Sequence, residues 1–255
     1  MTPMDCDNET VFSNSSNASN QTFTNLNFQG RTKNDLTLTN CNLLNCNFGG
    51  SDLSGLHLKN CKVLNCNFGS ANLQDCWFSG CSFYDKEQLV GCQFKLADLR
   101  RAEFYECDIS LSTFNRAQLF QLTLDHCRAV EADFNLATFN IAISRKLVIS
   151  SAQLTNTDFR YADFSSTNLS KCNLSHSKFS SVIMTMTNLD EADLTNTEFS
   201  PLHYSGLSVS NTDFRNAELS GIDFRKVDTS GIKILEWQQS ALLESFGFVL
   251  YPDNR

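Results

Sequence analysis

The sequence is poor in proline and tryptophan, with three prolines and two tryptophans in 255 residues. It has no apolar run of the roughly 18 residues that a membrane-spanning helix needs, so no membrane attachment is expected. Basic side chains are scarce. Twenty Lys and Arg face 28 Asp and Glu, a net charge of −8, which excludes the basic stripe of a direct nucleic-acid binder. No Cys-x-x-Cys occurs among the 11 cysteines, and the four histidines are scattered, so neither a metal nor any other cofactor is expected. The stretch Met1–Gln21 lacks both a basic n-region and an apolar h-region. It reads as a polar leader over residues 1–20 of a cytoplasmic protein.

Phenylalanine is abundant, with 21 copies, and its placement is periodic. Steps of five from Phe23 reach Phe83, and 11 of the 13 positions visited are Phe or Leu. The frame slips by one residue between Phe83 and Phe94 and resumes through Phe104, Phe114, Phe134 and Phe139. After a weak patch it continues through Phe159, Phe164, Phe179 and Phe199 to Phe214 and Phe224. Neither a helix nor a strand has a period of five. Two residues before each centre stands a small one: Cys41, Cys46, Cys61, Cys66, Ala97, Ala102, Ala132, Ala162. All the cysteines except Cys6 occupy this position, which marks them as small buried residues rather than ligands.

Two breaks interrupt the frame. Tyr84-Asp85-Lys86-Glu87-Gln88-Leu89-Val90-Gly91 shifts it and must loop out. Asn140 to Ser151 puts Ser144 at a centre position and Arg145-Lys146 between the apolar residues Ile143 and Leu147, and it too reads as an extruded loop. Beyond Ile234 the period changes. Leu235 to Phe246 is free of Gly and Pro and reads as a helix stopped by Gly247, with Phe248–Tyr251 as a short strand before Pro252. Trp237, Leu242, Leu243, Phe246 and Phe248 give this end more apolar surface than a lid requires, which favours a homodimer interface.

The triplets Ala97-Asp98-Leu99, Ala162-Asp163-Phe164 and Ala192-Asp193-Leu194 resemble the A(D/N)Lxx motif of the pentapeptide-repeat family, over about residues 21–234. The resemblance implies an all-β solenoid: a right-handed quadrilateral parallel β-helix with four pentapeptides per coil, here with two extruded loops (about 84–91 and 140–151) and a C-terminal α-helical dimerisation cap over 235–255. Twenty-residue coils stack like residues about 4.8 Å apart, so Phe28, Phe48 and Phe68 should form one column, Phe94, Phe114 and Phe134 a second, and Phe159, Phe179 and Phe199 a third.

The loop Cys81–Glu87 with Gly91-Cys92-Gln93-Phe94, the central His126-Cys127-Arg128-Ala129 and the Ala241-Leu242-Leu243-Glu244 helix resemble the Qnr quinolone-resistance proteins. That resemblance implies a non-catalytic protein whose partners are DNA gyrase and topoisomerase IV, shielded from quinolones by a mimic of duplex DNA. The loops Tyr84–Gln88 and Ile143–Leu147 would touch the enzyme. Acidic residues crowd the position before each centre in the later coils, and Asp158, Asp163, Asp193, Glu198, Asp213, Glu218 and Asp223 would form the DNA-mimic face. Residues 151–234 carry only 10 acidic against 7 basic side chains, so charge alone is too weak for specificity, and Asp there is also ordinary turn chemistry. The competing class is a scaffold or effector that docks another protein through its flat sides. No nucleophile elbow, P-loop or acid–base pair suggests an enzyme.

Overall fold

The structure is a computed structural model, and it describes residues 16–144, 147–219 and 221–251. Short parallel strands stack one coil above another, as in Thr37–Thr39 on His57–Lys59 and His57–Lys59 on Trp77–Ser79. A step of twenty residues is the pairing rule on all four sides, and about ten coils result. The first side is centred on Leu38, Leu58 and Phe78, the second on Leu43, Val63 and Phe83. The third is centred on Phe48, Phe68 and Phe94, and the fourth on Leu53, Leu73 and Leu99. Regular coil starts earlier than the sequence suggests. Asn17–Ser19 pairs with Thr37–Thr39, because Ala18 fills a centre position and packs against the core, so the segment expected to be a leader is already solenoid there.

The two breaks leave the ladder unbroken. Asn67 pairs with Gln93, six positions beyond a normal coil, and Arg128 with Asp158, ten beyond. With the extra residues extruded, two of the expected phenylalanine columns become one. Rings stack from Phe48 through Phe68, Phe94, Phe114 and Phe134 to Phe164, with centroids 4.8–5.1 Å apart. Phe28 continues the column as a tilted neighbour of Phe48. Phe159 and Phe179 stack on the second side, and Phe199 meets Phe179 edge-on. Burying each ring contributes about 1.5–3 kcal/mol.

The corners are turned by a residue two after each centre, in the left-handed region. A side chain there costs roughly 1–2 kcal/mol unless it is Asn, Asp or Gly. From Asn20 to Gly80 every corner but Ser70 obeys that preference, with Asn, Asp or Gly. From Leu96 to Glu191 most corners ignore it: Leu96, Arg101, Leu111, Arg116, Leu136, Tyr161, Lys171 and Met186 all have φ near +60°.

All ten described cysteines are buried and free, and burial pushes the Cys172 thiol up to about 12. They do more than fill space. At most corners the N–H of the small residue closes a turn on the carbonyl three residues back, as Ala97 does on Phe94 at 3.0 Å. At the corner between the first and second sides that bond is replaced by one from the next coil. Cys41 N–H donates to Cys61 Sγ and Cys61 N–H to Cys81 Sγ, both at 3.4 Å. Oxygen takes over higher in the same column, where Cys127 N–H donates to Thr157 Oγ1 at 3.2 Å and Thr157 N–H to Ser177 Oγ at 3.0 Å. From Cys41 to Ser177 the small residue here carries an acceptor, which Ala lacks; at the last coil Ala217 N–H returns to closing a turn on Phe214 at 3.0 Å.

Candidate functional site

Each break is a β-hairpin on a rigid shaft. The first joins Tyr84–Asp85 to Val90–Gly91 in antiparallel register and leaves the corner between the second and third sides. It is a tight turn, held by its own side chains. Asp85 is half-buried, and its Oδ1 accepts the N–H groups of Glu87 (2.9 Å) and Gln88 (3.1 Å). That carboxylate shapes the turn, while Lys86, Glu87, Gln88 and Leu89 face solvent and Tyr84 is half-buried. Gly91 anchors the return strand against the next coil. A Cβ there would lie 2.3 Å from Leu111 C and from Ser112 N, both backbone atoms that cannot swing aside.

The second hairpin pairs Asn140–Ser144 with Leu147–Ser150 and leaves the diagonally opposite corner, between the fourth and first sides. Ile143, Leu147, Val148 and Ile149 are exposed on it, Ile143 at 58%. Arg145 and Lys146, expected at its tip, lie outside the described residues. Four apolar side chains projecting from a hydrogen-bonded hairpin form the type of patch that a partner buries.

The seven acidic residues expected on one DNA-like face are divided among three sides. Asp193 and Asp213 are on the first side, Asp158, Glu198 and Glu218 on the second, and Asp163 and Asp223 on the third. Five of them are turn residues. Asp158, Asp163, Asp193, Asp213 and Asp223 each accept the backbone N–H two residues on, at 2.7–3.2 Å, the Asx turn that explains Asp or Asn in the repeat. Four of the seven are also paired with cations. Arg160 holds Asp158 at 2.7 Å, Lys178 holds Glu198 at 2.7 Å, Arg215 holds Asp213 at 2.8 Å and Arg225 holds Asp223 at 2.7 Å. The Arg225 guanidinium, through its hydrogen bonds, brings the Asp223 carboxyl down to about 2. The recurring triplets Asp158-Phe159-Arg160, Asp213-Phe214-Arg215 and Asp223-Phe224-Arg225 were the available signal: side chains two apart across a centre lie side by side on the outer wall.

The helix expected over 235–246 is a 3-10 turn, Glu236–Gln238, followed by a seven-residue helix, Gln239–Ser245. Its solenoid-facing anchor is Gln238. The buried Oε1 accepts from Asn216 N–H (3.1 Å) and Leu235 N–H (2.7 Å), and Nε2 donates to the carbonyls of Phe214 (2.9 Å) and Ala217 (2.8 Å). Apolar periodicity could not single out this residue, because what it covers is polar: the open backbone of the last coil. Trp237 and Phe248 are 60% exposed, Leu243 and Phe246 are also exposed, and Leu242 packs against the core. Gly247 ends the helix at φ +86°. Phe248–Tyr251, expected as a strand, is irregular and exposed, and it pairs with no strand among the described residues.

A solenoid of five-residue steps with a small residue two before each centre is the architecture of a pentapeptide-repeat protein, and family comparison agrees. Models described as pentapeptide repeat region and pentapeptide repeats (8 copies) match residues 152–234 and, for the second, 34–68 and 88–116. The full-length structure of QnrB1, a plasmid-mediated fluoroquinolone resistance protein, is 29% identical. It superposes with a TM-score of 0.75 over 91% of this chain and 100% of its own. A trypsin-treated QnrB1 variant is 31% identical, with a TM-score of 0.69, covering 90% of this chain and 100% of that one. The chain therefore belongs to the pentapeptide-repeat family, and within it to the Qnr-like proteins. Among curated relatives, the pentapeptide repeat protein QnrB4 of Escherichia coli is 41% identical over 49 residues, 19% of this chain and 23% of QnrB4. The match thus spans about a quarter of that relative's length.

Proposed function

We propose that this protein binds the type II topoisomerases, DNA gyrase and topoisomerase IV, and protects them from quinolones without catalysing a reaction, acting in the cytoplasm as a homodimer. The carrying observation is the likeness to QnrB1 over the whole of that protein, in a chain whose two hairpins stand on diagonally opposite corners. Contact is led by the second hairpin, where Ile143, Leu147, Val148 and Ile149 offer apolar area on a fixed platform, with Arg145 and Lys146 as expected partners of an acidic or polar patch. Tyr84, Lys86, Glu87 and Gln88 of the first hairpin add polar contacts. The acidic residues contribute less, because so many cap turns and sit beside arginines, and exposed charge so paired has little left to offer a distant partner.

Dimerisation through Trp237, Leu242, Leu243, Phe246 and Phe248 would place two shafts end to end. The end surface supports this reading, since apolar side chains cluster there beyond the one amide that seals the coil. The test is gyrase supercoiling in the presence of ciprofloxacin with the purified protein titrated in. Restored supercoiling is expected at protein concentrations comparable to the enzyme. No restoration at large excess, for gyrase and for topoisomerase IV decatenation alike, would leave the docking scaffold as the better reading.

A further inference from the structure

The third side of the middle coils combines two features. Asp133 and Asp163 sit at paired positions on adjacent coils there. Each accepts one backbone N–H, from Asn135 at 2.8 Å and Ser165 at 2.7 Å. Neither has an ion-pair partner among the described residues. Arg116, on the neighbouring corner, pairs with neither. Burial, reinforced by the like charge of Asp163, pushes the Asp133 carboxyl above its ordinary value, so an incoming cation would relieve an existing electrostatic cost.

The corners that border this side are left-handed and mixed in character, with Arg116 and Ser166 among the apolar residues on one edge and Glu131 and Ser181 on the other. Leu96, Leu136 and Met186 turn the corner toward the fourth side, and Tyr161 the corner from the second, all at φ between +58° and +63°. They are 40–64% exposed. A left-handed corner favours Asn or Gly, and a large apolar residue placed there without burial gains little within the monomer. Local folding energetics therefore do not explain these four residues. Contact with a partner would.

We propose that this side, from Leu96 to Met186, is a docking surface for a basic amphipathic helix of another protein. Four coil steps span about 19 Å, the length of roughly 13 helical residues. The two carboxylates are one coil apart, about 4.8 Å, which matches the 4.5–6 Å rise between helix positions i and i+3 or i+4 better than the roughly 6.7 Å between alternate residues of a strand. Lys or Arg at that spacing would meet Asp133 and Asp163, and apolar residues on either flank would cover Leu136, Met186 and Tyr161. This surface is separate from the second hairpin, and its helix need not belong to a topoisomerase.

The test uses the full chain and a labelled 15-residue amidated peptide with Leu and Lys at helical spacing, read by fluorescence anisotropy. A peptide with Glu in place of Lys serves as the control. Binding of the Lys peptide alone is expected, weakened at least tenfold by D133N combined with D163N. Asn retains the turn acceptor, so the fold should survive, as circular dichroism would verify. L136N with M186N should weaken binding at least fivefold. D35N with E106Q, which removes two exposed charges elsewhere, should change it less than twofold. Absence of measurable binding at millimolar peptide, or equal losses from the two charge-removing pairs, would overturn the proposal. Failure of gyrase protection would leave this result intact, so the two readings fail separately.

Discussion

The coils up to Phe83 and those from Phe94 to Glu191 have the same core and different outsides. The early coils put Asn, Asp, Gly or Ser at every left-handed corner, and amides run up their walls, as from Asn67 to Asn47 at 3.0 Å and from Asn65 to Asn45 at 2.8 Å. Each choice there agrees with the local backbone. The middle coils put Leu, Arg, Tyr, Lys and Met at the same corners, carry the second hairpin and begin where the first one returns. Local agreement is sacrificed only in this region, which is where function is expected to leave its mark. In a solenoid each coil contacts only its neighbours, so one stretch can serve propagation and another display.

The sharpest way to break this comparison is to remove the display elements and keep the shaft. Replacing Ile141–Ile149 by a short Gly-Ser link should reduce protection of gyrase at least tenfold while the melting temperature stays within a few degrees, because the hairpin adds little to the core. A folded deletion variant with parental protection would return the activity to the coils. The first hairpin is set more rigidly. Gly91→Ala should cost about 3 kcal/mol, at the upper end of overpacking, because the new Cβ meets the Leu111–Ser112 backbone. Urea unfolding measures it, and a loss under 1 kcal/mol would mean the strand can withdraw.

The period of five, the small inward residue and the two breaks were all legible in the sequence, because each follows from which side chains must be buried. Gly91 was visible only as the end of a loop. The steric reason for it involves a coil twenty residues further on. The acidic residues carry less unpaired charge than a count suggests, for a related reason. Asp158 and Asp213 look like free charge in a count, whereas Arg160 and Arg215 stand beside them across a single buried Phe. The corner code was readable all along as Asn20, Asn25, Gly30 and Asp35, five apart. Its abandonment at Leu96 acquires meaning only when φ is known.

Two substitutions test how the shaft closes its backbone. Gln238→Leu should cost about 2 kcal/mol, since it strands Asn216 N–H and the carbonyls of Phe214 and Ala217. Gln238→Glu should recover part of that loss through its acceptor. Among the thiols, Cys61→Ala should cost about 1 kcal/mol more than Cys76→Ala. Removing Cys61 Sγ leaves Cys41 N–H without an acceptor. The residue beneath Cys76 is Leu56, whose N–H already closes a turn on Leu53 at 3.0 Å. Cys61→Ser should stay near the parent. Equal losses from the two alanine variants would reduce the thiols to space-fillers.

The smallest expected effect addresses the comparison most directly, because it exchanges corners between the two regions. Leu136→Asn puts an early-coil residue at a middle-coil corner. The left-handed backbone then suits its side chain, and stability should rise by about 0.5 kcal/mol after the loss of Leu136's partial packing is deducted. Asn25→Leu makes the reverse exchange and should destabilise by about 1 kcal/mol. The signs matter more than the sizes. If the middle corners were merely tolerated by the fold, Leu136→Asn would stabilise and leave every binding measurement unchanged. If they are kept for contact, the same variant must gain stability and lose affinity for the basic helical peptide together. A variant that is less stable than the parent would show that Leu136 is held by packing within the monomer, and the division between a propagating stretch and a displaying one would then fail at the corner where it was drawn.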